Sequence, residues 1–75
     1  MKLYDVLRDS FNTNESEMND NAMLRDYAEW DSMTHMLFIT KLEDAYDVEL
    51  DGDEIADMQT VADIKNILLI KGKAL

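Results

Sequence analysis

Apolar residues recur at helical spacing in the first segment, where Leu3, Val6, Leu7 and Phe11 are separated by charged and polar positions. That spacing predicts a helix from Lys2 to about Phe11. Asn12-Thr13-Asn14-Glu15-Ser16 then breaks the pattern with residues that favour turns and caps. From there to Asp31 the chain predicts a long, mostly irregular connection. Its Met18, Met23, Leu24, Tyr27 and Trp30 are too apolar for a solvated loop. The expectation is a loop pinned across the helices, each apolar side chain contributing about 1.5–3 kcal/mol if fully buried.

A second helix is predicted from Asp31-Ser32 to about Tyr46, with Asp31 as its N-cap. Phe38, Ile39, Leu42, Ala45 and Tyr46 mark its core-facing stripe. Met33, Met36 and Leu37 point elsewhere on the same helix and exceed what one core stripe needs. Asp47 to Asp53 predicts a polar connection with Gly52 available for a turn, followed by a short helical piece over about Glu54 to Met58. Thr60-Val61-Ala62-Asp63 resembles a capping box opening a last helix, with Val61, Ile64, Ile67 and Leu68 on its apolar face. Lys71 and Gly72 end it, the cation suiting the negative end of the helix dipole. The expected fold is all-α, a small bundle of three main helices and one short one with a long first loop, in one domain over residues 1–75.

Composition narrows the chemistry. The chain has no Cys and one His, which excludes disulfides, thiolate nucleophiles and multi-histidine metal clusters. No apolar run exceeds four residues, so neither a membrane span nor a signal core is expected, and a cytoplasmic protein is. Asp and Glu total 17 against 7 Lys and Arg, giving a net charge of −10. Such a field repels nucleic acid and anionic lipid and favours partners with basic surfaces. Between Leu42 and Ile64 there are nine carboxylates and no cationic side chain.

Two catalytic or metal motifs fail on inspection. Ser32 and His35 lie three apart on one helix, but no third group orients the ring and no oxyanion site is evident. Asp47-Val48-Glu49-Leu50-Asp51-Gly52 begins like a calcium-binding loop. Its twelfth position is Met58, where a bidentate carboxylate is required. What remains is Ser32 itself, opening a helix after Asp31 with Met33, Met36 and Leu37 beside it. A phosphate attached there would face the positive end of the helix dipole, although a serine after an aspartate at a helix start is by itself only a cap.

The wider pattern adds to this. Asp31-Ser32-Met33, Leu42-Glu43-Asp44-Ala45-Tyr46, Glu49-Leu50-Asp51 and Thr60-Val61-Ala62-Asp63-Ile64 together resemble the acyl carrier protein family, over nearly the whole chain from Leu3 to about Ile70. The resemblance implies a non-catalytic four-helix carrier in which Ser32 bears 4′-phosphopantetheine, with Asp31 beside the attachment point. A phosphopantetheinyl transferase would supply the arm from coenzyme A, and its thiol would hold acyl or aminoacyl groups as thioesters. It also implies a monomer whose helix face of Met33, Met36, Leu37, Glu43, Asp44 and Asp47 meets acyl-loading, synthase or transferase enzymes with basic docking surfaces. The growing chain would lodge near Phe38, Ile39, Leu42 or Tyr46.

The sequence departs from the fatty-acid carriers at informative places. Thr34 and Leu37 stand where acids usually follow the modified serine, and Asp26-Tyr27-Ala28-Glu29-Trp30 replaces the usual Asp-Leu-Gly stretch. Trp30-Asp31-Ser32-Met33-Thr34-His35 looks like discrete carriers of specialised lipid, polyketide, aminoacyl or cell-surface pathways. The alternatives are a housekeeping fatty-acid carrier and an unmodified acidic module that binds proteins or cations.

Overall fold

The computed structural model describes residues 1–75 and is all-helical. Helix α1 runs Lys2–Phe11, α2 Ser32–Tyr46, α3 Gly52–Asp57 and α4 Val61–Ile70. Two single-turn 3-10 helices, Glu15–Glu17 and Leu24–Asp26, interrupt the long connection between α1 and α2.

Each boundary has a local cause. Asn12 stops α1 in the left-handed region at φ 51°, its N–H donating to the Arg8 carbonyl. Asp47 does the same for α2 at φ 53°. Such conformations are disfavoured for most side chains, and Asn and Asp tolerate them best after glycine. Helices α2, α3 and α4 each open on a reciprocal capping box, Asp31 with Thr34, Asp51 with Glu54, and Thr60 with Asp63. After α4, Gly72 takes φ 78° while its N–H and that of Lys73 donate to the carbonyls of Leu69 and Leu68. That pair of bonds is a Schellman closure.

One boundary corrects the sequence reading. The short helix starts at Gly52 rather than Glu54 and ends at Asp57 rather than Met58. The Asp51 side chain accepts from the Glu54 N–H at 2.8 Å and Glu54 accepts from Asp51 N–H at 3.1 Å, so the cap starts the helix two residues early. Gly52 is therefore the first helical residue, not a turn.

The core joins Leu3, Val6, Leu7 and Phe11 of α1, Phe38, Ile39, Leu42 and Tyr46 of α2, and Val61, Ile64 and Leu68 of α4. Helices α1 and α2 form the most extensive helix pair. Phe11 lies at its centre, with ring centroids 5.4 Å from Phe38 and 5.5 Å from Tyr27. The long connection is pinned as expected. Met18, Leu24 and Tyr27 are buried, Met23 and Trp30 half-buried. Main-chain bonds also staple it to the junction of α3 and α4, from Leu24 N–H to Gln59 at 2.9 Å and from Val61 and Ala62 N–H to Ala22 and Asp20 at 3.0 Å each. This stapling carries residues 24–30 to the N-terminal end of α2. No helix is long and apolar enough to cross a membrane.

Candidate functional site

Ser32 is the first residue of α2 and is exposed. The capping network around it runs between its neighbours. Thr34 N–H donates to the Asp31 carboxylate at 2.8 Å, Asp31 N–H donates to the Thr34 hydroxyl at 2.8 Å, and that hydroxyl also reaches the Glu29 carbonyl at 3.0 Å. Ser32 Oγ takes no part in these bonds. The hydroxyl thus stands free on a locally braced backbone, at the end of the helix where unpaired N–H groups give a positive potential. The Thr34 amide and hydroxyl hold the Asp31 carboxyl below the usual carboxylate range, so it is ionised at neutral pH.

His35, one turn into α2, is half-buried and accepts a hydrogen bond at Nδ1 from Trp30 Nε1–H at 3.2 Å. Burial lowers its pKa from the ordinary value. The indole nitrogen only donates, so the neutral ring carries its proton on Nε2. With Nδ1 engaged by an indole and no carboxylate oriented toward the ring, this is not a nucleophile-activating pair.

Three surface hollows lie around α2. The first, about 280 Å³, sits between the connection, α2 and α3, lined by Leu24, Arg25, Trp30 and His35 together with Ile55, Ala56, Met58 and Gln59. The second, about 440 Å³, lies on α2 among Met33, Thr34, Met36, Leu37 and Thr40. The third, about 540 Å³, gathers Glu43, Asp44, Asp47 and Glu49 where α2 runs into the loop before α3. The six residues expected to face partners therefore fall into two patches on one side of α2, apolar near Ser32 and acidic at the far end. Met33, Met36 and Leu37 are 83%, 51% and 48% exposed, so none is core filling. Glu43 has a second role, since its carboxylate accepts from Leu50 N–H at 2.9 Å and pins the following loop.

This constellation is an exposed helix-opening serine, an apolar flank and an acidic end, on four helices with a long stapled loop. A family model described as the phosphopantetheine attachment site matches residues 2–68. The chain belongs to the acyl carrier protein family. No curated protein matches its sequence at significance. Like the family's other domains it is a carrier, not an enzyme, and its cofactor is 4′-phosphopantetheine attached to a serine.

The residues present fit that group. A phosphodiester needs an accessible hydroxyl and donors for its oxygens, and the start of α2 offers a hydroxyl outside the capping network beside first-turn amides. When bound, the arm supplies a thiol for thioester formation; a carrier with no cysteine has no competing thiol of its own.

Several expectations are sharpened by the geometry. Phe38, Ile39, Leu42 and Tyr46 are buried in the core, and none of them lines any of the three hollows. In the calcium-like stretch Asp51 is occupied as the cap of α3, and no group of His, Asp or Glu is arranged to hold a metal ion. Sequence reasoning missed the hollow formed by Arg25, Trp30, His35 and Ile55. A signal was present, because Trp30 and His35 bracket the serine and His35 falls on the core-facing stripe.

Proposed function

We propose that Ser32 is the attachment residue, and that the carrier holds acyl or aminoacyl thioesters for a specialised lipid, polyketide, aminoacyl or cell-surface pathway in the cytoplasm. The single observation that carries the assignment of Ser32 is its position, exposed at the first turn of α2 with its hydroxyl outside the Asp31–Thr34 cap. In the loading step the Ser32 oxygen attacks the coenzyme A pyrophosphate. A new O–P bond replaces the bond to the departing adenosine 3′,5′-bisphosphate, and the serine proton passes to a base on the transferase.

The specialised role is supported by the flank of the serine. Thr34 and Leu37 are uncharged where a fatty-acid carrier would present acids, and exposed Met33 and Met36 make the surface around them apolar. Methionine adapts to several partners in turn because its side chain is unbranched and polarizable. Glu43, Asp44 and Asp47 extend the same face toward basic docking surfaces. The carrier works as a monomer, its net charge of −10 opposing self-association.

Intact mass after incubation with coenzyme A, magnesium and a broad-specificity phosphopantetheinyl transferase tests the assignment. The parent gains one phosphopantetheine and the Ser32→Ala variant gains none. A folded parent without mass gain overturns it and favours an unmodified acidic module, whereas gain in the variant moves the attachment to another serine.

A further inference from the structure

Of the three hollows, the one between the connection, α2 and α3 and the one at the C-terminal end of α2 have opposite chemistry. The one at the C-terminal end is walled by four carboxylates. The one lined by Trp30 and His35, two residues before and three after Ser32, has no carboxylate in its wall, in a chain with 17 of them. Its floor is apolar, from Leu24, Ile55 and Met58, and its polar lining is Arg25, His35 and Gln59. Arg25 is a guanidinium with donors only, and no ion pair in the structure engages it. His35 presents a donor as well, because Trp30 holds its Nδ1 as an acceptor and leaves the proton on Nε2. Asp26 and Asp57, neighbours in sequence, are exposed and do not line the hollow.

An apolar floor with a donor-rich, acid-free rim fits a ligand with a short apolar body and an acceptor-rich end. An ammonium group, which only donates, finds no acceptor carboxylate there. The net negative charge of the chain does not reverse this preference, because at physiological salt fields are screened over about 8 Å and a guanidinium in contact decides locally.

We propose that Arg25, with the Trp30–His35 pair, makes this hollow selective for short acyl groups ending in a carboxylate, carried on the arm at Ser32, over alkanoyl or aminoacyl groups of the same length. The inference rests on the carrier reading of Ser32 and narrows its cargo. Arg25 grips the terminal carboxylate, and Trp30 orients His35 without touching the cargo's charged end.

Three loaded forms test it, made with the transferase from coenzyme A thioesters carrying an alkanoyl, a carboxyalkanoyl and an aminoalkanoyl group of equal length. Mass spectrometry confirms loading, and the melting midpoint and the emission of Trp30, the one tryptophan, report on the hollow. The carboxyalkanoyl form is expected to melt about 2–5 °C above the alkanoyl form, the range a partly exposed Arg–carboxylate pair gives in a domain this small. Its tryptophan emission shifts too, and the aminoalkanoyl form shows neither effect. Arg25→Gln, checked for fold by its own melt, erases the difference. Equal midpoints and emission in all three loaded forms overturn the inference while leaving Ser32 as the carrier residue. A difference that survives in Arg25→Gln overturns the role of Arg25. Failure to load from any thioester overturns the carrier reading, and the inference falls with it.

Discussion

Helix α2 carries two apolar stripes on roughly opposite sides, and they behave differently. Phe38, Ile39, Leu42 and Tyr46 are sealed against α1 and α4. Met33, Met36 and Leu37, as hydrophobic and on the same helix, are open to solvent. The buried stripe holds the fold together. The open one, placed one to five residues after Ser32, costs exposed apolar surface that no internal contact offsets. A small protein tolerates such a patch where a partner covers it. Hydrophobicity alone therefore does not separate core from contact surface; position relative to the serine does.

The largest break in that comparison comes from the core side. Phe38→Ala removes a fully buried ring packed on Phe11 and is expected to cost about 3–5 kcal/mol, measured by urea denaturation. For a domain near the lower end of stability, that brings it to the edge of unfolding at 25 °C. A loss below about 1 kcal/mol would show that the two stripes are not energetically distinct.

The open stripe should respond in the opposite way. Replacing Met33, Met36 or Leu37 singly with Gln is expected to change stability by no more than about 0.5 kcal/mol. The same changes lower the rate of Ser32 loading by a phosphopantetheinyl transferase, about tenfold for a contact at the centre of the interface. Stability loss with unchanged loading would place these residues in the core after all. Thr60→Ala provides the contrasting control. It removes the side-chain cap of α4, accepted by Thr60 Oγ1 from Asp63 N–H at 3.1 Å, and is expected to cost about 0.5–2 kcal/mol while leaving loading intact.

Most of the fold was legible because its signals are local. The spacing of Leu3, Val6, Leu7 and Phe11 and the caps at Asp31 and Thr60 place α1, α2 and α4 without reference to the rest of the chain. The start of α3 was misplaced because Gly52 reads as a turn, whereas the reciprocal bonds of Asp51 and Glu54 override it. The exposure of Met33, Met36 and Leu37 was readable from the helical wheel. The hollow of Arg25, Trp30, His35 and Ile55 was legible only in the bracketing of the serine by Trp30 and His35. It exists because main-chain bonds between residues 20–24 and 59–62 bring Arg25 next to Ile55 and Met58. Pairings so distant in sequence leave no periodic trace.

The smallest effects concern charge, and they separate the two functions that carboxylates serve here. Those on the acidic face repel one another, so added salt is expected to raise the melting midpoint by screening them; no rise would remove repulsion as a cost to this fold. Those at the caps stabilise. Asp31 is held below the usual range first by the Thr34 amide, and Asp63 first by the Thr60 amide. A folded pKa lower than the unfolded one means that the contribution is fully present above the unfolded value, about 3.9, and is lost as pH falls through the lowered folded value. His35, whose pKa burial lowers, adds a loss of the same sign that begins earlier, below its ordinary value of 6.5. The double variant Asp31→Asn, Asp63→Asn keeps capping acceptors but no titrating charge at those two sites. Between pH 5 and pH 2.5 its melting midpoint should therefore fall less steeply than the parent's. Parallel curves would mean that the caps act through geometry alone, leaving His35 as the lowered group that contributes to the loss with acid.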